Sequence, residues 1–269
     1  MDPTEPLRIL QVTDLHLRAA RDGELYGVRT DASFRAVMAR ALGDVRWRPA
    51  AILVTGDLAE DPVPLVYERF RAAMEPLGLP VLCLPGNHDD PAVMARTLDS
   101  GPISYCGASS IGRWRFVLLD TVVPGEAGGA LSDGELARLD QELAGAGGQW
   151  IFVAVHHQPL AMASAWLDGL GLRNGSALLS RLAAHPRARV VVWGHVHQES
   201  DRHRGRLRLL STPSTCAQFT PRTARCVMDT RPPGFRRLEL GPDGTIRTEV
   251  IWLDDWAMQG RPPDSHAVT

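Results

Sequence analysis

The chain has 269 residues, 44% of them hydrophobic and 22% charged, with a formal net charge of −2. That length suits one large α/β domain or two small ones, and the composition is that of a globular protein. The balanced charge excludes the broad basic field of a nucleic-acid binder, and four scattered cysteines without a C-x-x-C pair exclude a disulfide framework or a thiolate zinc site.

The opening stretch, "MDPTEPLRILQVTD", has neither the positive n-region nor the apolar h-region of a signal peptide. No apolar run approaches the roughly 18 residues of a membrane span. A cytoplasmic protein is expected. Short runs rich in Ile, Val and Leu then predict strands at Leu7–Val12, Ala50–Thr55, Pro80–Leu84, Trp114–Leu119, Trp150–Val155 and Arg189–Trp193. Helical patterns fall between most of them, at Ser33–Val45, Val63–Leu77, Pro91–Leu98, Ser132–Ala144 and Gly175–Ala184. Ser132 with Glu135 three residues on gives the fourth helix a capping-box start. This alternation implies a largely parallel, buried core.

Beyond residue 205 the helices stop. "RLRLLSTPS", "FRRLEL" and "TIRTEVIWL" read as strands, the last two joined by a turn at Pro242-Asp243-Gly244. The basic stretch "RHRGRLR" reads as a solvated hairpin edge. A single domain over residues 1–259 is expected, with strands between 206 and 253 completing a second sheet and residues 260–269 forming a loose tail.

The chemistry gathers where the strands end, which is where open α/β sheets bind ligands. The first run ends in Asp14 and His16, the second in Asp57, the third in Asn87, His88 and Asp89, the fifth in His156 and His157, the sixth in His195 and His197. Only the fourth end is thin, its Asp120 reading as a turn residue. An isolated Asp at a strand end is usually a cap or turn former. Yet six of the nine histidines lie in these blocks, which independent accidents explain poorly. Carboxylate oxygen with imidazole nitrogen suits Mn, Fe or Zn better than Ca or Mg. Asp-x-His and His-x-His put both side chains on one face of an extended segment, so one segment supplies two donors. Seven donors exceed the needs of one ion and suit two that share a carboxylate.

The ordered blocks D-x-H (Asp14/His16), G-D (Gly56-Asp57), G-N-H-D (Gly86 to Asp89), a strand-terminal His156 and G-H-x-H (Gly194 to His197) resemble the calcineurin-like metallophosphoesterases. The stretches "LYGVRTDASFRAVMARAL", "AWLDGLGLRNGSALL", "LLSTPSTCAQF" and "PPGFRRLELGPDGTIRTEVIWL" are similar to the bacterial class III 3′,5′-cyclic-AMP phosphodiesterases, a likeness running from about residue 7 to 253. The resemblance implies a four-layer αββα sandwich of two mixed sheets flanked by helices. It implies one divalent ion held by Asp14, His16, Asp57 and His197 and a second by Asp57, Asn87, His156 and His195, with Asp57 bridging. Iron and manganese are the expected metals, with zinc or cobalt also admissible. His157 reads as an outer or loop residue.

The implied reaction is hydrolysis of cyclic AMP to 5′-AMP by in-line attack of a hydroxide shared between the ions. Two divalent ions, two carboxylates and that hydroxide leave one net positive charge, matched to a singly charged diester. His88 is then expected at the phosphate, as proton donor or hydrogen-bond donor. Asp89 either orients His88 or caps the helix from Pro91. His16, Asn87, His88 and His197 are the expected substrate contacts. Asn174 joins them unless it only caps the helix from Gly175, and "STPSTCAQF" lines a base pocket or a subunit contact. A homodimer is expected from the same likeness. The competing readings are a phosphodiesterase for glycerophosphodiesters or 2′,3′-cyclic nucleotides, and a metal-bound regulatory scaffold without catalysis.

Overall fold

The computed structural model describes residues 4–256. The tail expected from residue 260 lies outside them. Two six-stranded sheets carry the structure. The first runs, edge to edge, Ile246–Trp252, Gly234–Leu240, Leu7–Val12, Ala51–Thr55, Val81–Leu84, Ile103–Tyr105. The second runs Ser200–Arg204, Leu207–Ser211, Ala188–Trp193, Trp150–Ala154, Trp114–Leu118, Gly107–Ile111. Each has four consecutive parallel strands, with antiparallel pairing beyond them on one side in the first sheet and on both sides in the second.

Strand side chains alternate between faces, and here both faces are apolar. Leu7, Ile9 and Leu53 point between the sheets, where they meet Trp114, Phe116, Phe152 and Val190. Leu10, Val12, Ile52 and Val54 point outward, onto a layer containing Phe34, Val37, Val66, Phe70, Met94 and Leu98. These belong to the helices Thr30–Leu42, Pro64–Met74 and Pro91–Leu98. The second sheet's outer face buries Val153 and Val191 against Leu139, Leu143, Leu178 and Leu182 of the helices Asp133–Ala144 and Gly175–Ala184. Helix, sheet, sheet, helix is the expected four-layer sandwich.

The late strands divide between the sheets, which corrects the expectation that all would complete the second. Leu207–Ser211 pairs with Ala188–Trp193 in the second sheet, whereas Gly234–Leu240 pairs with Leu7–Val12 in the first. The connection from residue 212 to 233 crosses the end of the sandwich. It is fixed there by Thr215 N–H to Thr13 O (3.1 Å) and Ser214 Oγ to Asp14 O (2.6 Å). Other expectations stand. Gly205 turns the basic hairpin, and Gly241 to Gly244 turn the last one. Ser132 Oγ accepts from Glu135 N–H (3.1 Å). Glu135 does not return the bond: its carboxylate takes Asp120 N–H (2.8 Å) and Arg138. No helix among the described residues is long and apolar enough to cross a membrane.

Candidate metal centre and active site

The two sheets lie with their central strands ending on the same side, so the loops after Val12, Thr55, Leu84, Ala154 and Trp193 converge. Asp14, His16, Asp57, His156, His157, His195 and His197 are all buried there, while His88 stays exposed and Asn87 half-buried. Five of these residues have positive φ: Asp14 (51°), His16 (48°), Asp57 (50°), His195 (63°) and His197 (47°). A left-handed residue other than glycine costs on the order of 1–3 kcal/mol and persists only where its surroundings over-determine it. The loops meet that condition by bonding to each other. Asp14 N–H donates to Gly56 O (3.0 Å), His16 N–H to Asp57 O (2.9 Å), and His195 N–H to Asp14 Oδ1 (2.9 Å).

The motif glycines allow this crowding. A Cβ on Gly86 would overlap Asp57 Oδ1 and stand 2.5 Å from the Asp57 main-chain nitrogen. One on Gly194 would overlap Thr13 Oγ1 and stand 2.6 Å from Asp14 Oδ2.

Hydrogen-bond accounting shows what the centre lacks. His16 Nδ1 faces Glu60 Oε2 (2.9 Å), His197 Nδ1 faces Ala217 O (2.7 Å) and His156 Nδ1 faces Thr55 O (2.8 Å). Each partner is an acceptor, so each Nδ1 carries the proton and Nε2 is left as the free donor of electrons. His16 and His197 then point Nε2 at Nε2, 3.2 Å apart. His197 Nε2 also lies 3.4 Å from Asp14 Oδ1. His156 Nε2 lies 3.2 Å from Asn87 Oδ1 and 3.3 Å from Asp57 Oδ2. His195 Nε2 is buried with no hydrogen-bond partner among the described residues. Lone pairs converging on lone pairs need positive charge between them.

In the metal-free protein a proton supplies part of it. Burial works against a charged His156, but the Asp57 carboxylate prevails and lifts its pKa to about 9. Burial opposes ionisation of Asp57 too, yet the His156 and His88 imidazoles hold its carboxyl well below the usual range. His195, by contrast, is driven down to about 3 by burial and by the neighbouring His156, and so stays neutral. The donor set therefore fits divalent cations. Asp14, His16 and His197 form one group and Asp14, Asp57 and His156 another, each with donor atoms within 4.8 Å of one another. Asp57 Oδ2 stands between the two sides, 3.8 Å from His16 Nε2 and 3.3 Å from His156 Nε2.

Glu60, three residues beyond Asp57, is a member the sequence reading missed. Its Oε2 receives His16 Nδ1 (2.9 Å) and His88 Nδ1 (3.1 Å) at once. The two rings meet edge to face, 4.9 Å apart. Burial partly opposes a charged His88, but Asp57 and Glu60 lift it to about 9. Its Nε2 has no protein partner among the described residues and stays open to the cleft.

Asp89 neither caps the following helix nor touches His88. It accepts from Gly86 N–H (2.9 Å), Leu58 N–H (3.1 Å), Ala59 N–H (3.0 Å) and Tyr67 Oη (3.0 Å), tying the Asp57 loop to the Asn87 loop. The cap is Asp90, which takes Ala92 N–H and Val93 N–H at 2.9 Å. Pro91 at the first helical position fixes that choice.

The comparisons decide the family. The description "calcineurin-like phosphoesterase" matches residues 7–199. The chain belongs to the calcineurin-like phosphoesterases. Among curated members, this phosphoesterase is 39% identical over 247 residues to the 3′,5′-cyclic adenosine monophosphate phosphodiesterase CpdA of Pseudomonas aeruginosa, covering 92% of this chain and 90% of that one. It is 40% identical over 254 residues to CpdA of Escherichia coli K12, covering 94% and 92%. A 3′,5′-cyclic-nucleotide phosphodiesterase of Nostoc is 37% identical over 250 residues, with 93% and 94% covered. A dimetal phosphatase from Danio rerio shares the fold with a TM-score of 0.62 at 14% identity, covering 92% of this chain and 99% of that one.

The phosphoesterase cleft has two halves. One presents His16, Asp57, Asn87, His88, His195 and His197; the other is apolar, with Leu25, Tyr26, Trp166, Leu167, Leu170 and Phe219. Asn174 lines neither half and makes no cap. Its side chain accepts Leu131 N–H (2.9 Å) and donates to Leu131 O (2.8 Å), which ties it to the main chain outside the cleft lining. His157 is deeper than an outer loop residue would be. Its Nδ1 meets Thr121 Oγ1 (2.7 Å), its ring lies 4.7 Å from that of His195, and its Nε2 is buried with no hydrogen-bond partner among the described residues. Asp120 forms the expected turn, accepting Val122 N–H (2.8 Å). Beneath the centre a polar chain joins the sheets: Arg236 Nε to Thr212 Oγ1 (3.1 Å), Thr212 Oγ1 to Gln11 Oε1 (2.7 Å), Gln11 Nε2 to Thr55 Oγ1 (3.0 Å).

Proposed function

We propose that this phosphoesterase hydrolyses 3′,5′-cyclic AMP to 5′-AMP at a pair of divalent ions, iron or manganese as the family resemblance implies. Asp14, His16, Asp57 and His197 would hold one ion and Asp57, Asn87, His156 and His195 the other. The observation that carries the reading is the convergence of Nε2 lone pairs and carboxylate oxygens on the two sides of Asp57, beside an apolar half-cleft that suits a nucleobase. The names of the relatives at 37–40% identity support the substrate.

When bound, divalent ions neutralise phosphate oxygens and acidify water toward neutrality. The chain's own residues do the rest. Thr55 O, Ala217 O and Glu60 Oε2 hold three imidazoles in the tautomer that presents Nε2. The Asp57 carboxylate is kept ionised and faces both sides of the centre. His88, anchored through Nδ1 to Glu60, in its protonated form offers Nε2–H to the phosphate or to the departing ribose O3′. Water adds to phosphorus as the P–O3′ bond breaks; the attacking water gives up one proton to solvent, and O3′ leaves with a proton that His88 supplies and the solvent restores.

The test loads the protein with Mn or Fe and compares kcat/KM for 3′,5′-cAMP, 3′,5′-cGMP, 2′,3′-cAMP and a glycerophosphodiester. Highest efficiency on 3′,5′-cAMP is expected. Preference for the glycerophosphodiester overturns the substrate, and turnover of none of the four overturns catalysis in favour of a metal-bound scaffold. His88→Ala is expected to keep both metals and lose about 10²–10⁴ in kcat. Loss of metal with unchanged turnover per bound ion would overturn the role given to His88.

A further inference from the structure

The metal side of the cleft accounts for a phosphate and says nothing of the sugar attached to it. The cleft is small, about 130 Å³. Whatever binds its metal side therefore brings its next group against the facing residues. Phe219 anchors that facing wall, buried and stacked on His197 at 4.5 Å and 22°. Tyr26 packs edge-on to Phe219 at 6.0 Å and 75°, and is only half-buried. It lines the same cleft as Asn87, His88 and His197.

Tyr26 reaches this place at a conformational cost. The strands Glu24–Leu25 and Val28–Arg29 pair antiparallel with Leu25 opposite Val28, so Tyr26 and Gly27 alone turn the hairpin. Both have positive φ, 52° and 76°. A two-residue turn of this kind favours Asn, Asp or Gly at its first position, and a bulky side chain there is an outlier. Gly27 obeys that rule and Tyr26 breaks it. Strain of this sort gathers at ligand sites. The ring packs beside Val28, Cys216 and Ala217, work that a phenyl group would do as well. The hydroxyl is left over: it has no hydrogen-bond partner among the described residues, and it is not sealed from water. Burial raises its pKa, and the Cys226 thiol and the Glu60 carboxylate add to the effect, so the phenol keeps its proton and can donate. Glu60 is the acid that holds His88 Nδ1 at 3.1 Å. The hydroxyl thus belongs to the His88 side of the cleft.

We infer that Tyr26 is a specificity-determining residue: its hydroxyl donates to O2′ of the substrate's ribose and selects ribonucleotides over deoxyribonucleotides. With His88 at the departing O3′, the nearest oxygen that takes no part in the reaction is O2′, on the adjoining ring carbon. A donor on the His88 side meets it before any atom of the base. This rests on the reading that the substrate is a 3′,5′-cyclic nucleotide with His88 at O3′.

The test removes one oxygen from each side of the bond. Tyr26→Phe keeps the ring and the turn and deletes the hydroxyl; 2′-deoxy-3′,5′-cAMP deletes the acceptor. Parent and variant, both loaded with Mn, are assayed on 3′,5′-cAMP and on the deoxy analogue, with Tm and metal content expected to match between the two proteins. The parent should favour the ribose substrate about 3- to 10-fold in kcat/KM, the size of one neutral hydrogen bond, and the difference should lie in KM. In Tyr26→Phe the preference should fall to about one, through a loss on cAMP alone. A parent without the preference, a preference that survives the substitution, or equal losses on both substrates overturns the inference and leaves the proposed function standing. Turnover of neither cyclic nucleotide by the parent overturns the proposed function, and this inference with it.

Discussion

Removal of Glu60 should impair two functions that its single oxygen joins. Oε2 takes the Nδ1 protons of His16 and His88 together, at 2.9 and 3.1 Å. Each is a hydrogen bond to a charged group, worth about 1.5–3 kcal/mol net. Because tenfold in an equilibrium constant is about 1.4 kcal/mol, losing the His16 bond should weaken the metal at that side roughly 10- to 100-fold, the usual toll for removing a carboxylate behind a ligand histidine. Losing the His88 bond frees a half-exposed ring and should lower kcat about another tenfold. Glu60→Ala is therefore expected to show both defects. Glu60→Gln is the informative companion. Both bonds end on one oxygen, so an amide carbonyl in that place still accepts both, and only the charge is gone. Glu60→Gln should retain metal affinity and kcat within about tenfold of the parent, since neutral acceptors are about half as strong as charged ones. Metal binding by calorimetry and saturation kinetics at full metal occupancy separate the effects. Native metal affinity and turnover in Glu60→Ala would refute the reasoning. A Gln variant as damaged as the Ala variant would show that charge, and not the shared acceptor, is what the site requires.

Other outcomes follow from the same geometry. Gly86→Ala should fold with its metal content sharply reduced, since a Cβ there displaces the Asp57 carboxylate and main chain; full metal occupancy by elemental analysis would contradict the close approach. In EDTA, thermal stability should fall as pH rises from about 6.5 to 9. His88 and His156 have folded-state pKa values raised to about 9, so the stability they contribute is complete below the unfolded value near 6.5 and lost on passing 9. His195 and Asp89, at about 3 and about 6, change protonation below that window and do not offset the trend. A flat or rising Tm across the window would refute it, and saturating metal should remove the part of the slope due to His156 by replacing its proton. Cys216, fully buried with its thiol pushed up to about 12, should resist maleimide in the native protein and react on denaturation.

Much of this protein was legible in one dimension. Strand positions follow from apolar runs bounded by turn residues. The candidate ligands follow because strand ends in an α/β protein form its binding edge, so Asp14, His16, Asp57, Asn87, His156, His195 and His197 could be picked out by place as well as by type. Even the cap at Asp90 is readable in principle, from Asp followed by Pro at a helix start.

What the sequence left open concerns partners far apart in the chain. Whether the strand Gly234–Leu240 joins one sheet or the other depends on a connection that crosses the site, and local alternation is identical in both cases. Asp89 and Asn174 are polar residues beside helices, which from sequence alone are caps. Their side chains instead bond to main chain 30 and 43 residues away. Glu60 shows no local pattern that distinguishes it from a solvated loop acid; only folding brings His16, 44 residues before it, and His88 onto the same oxygen. The sequence determined which atoms are able to bind metal and phosphate, because donor chemistry belongs to the residue. The tertiary structure decided which of their two nitrogens or oxygens faces the centre, because tautomer and orientation are set by a neighbour that sequence distance conceals.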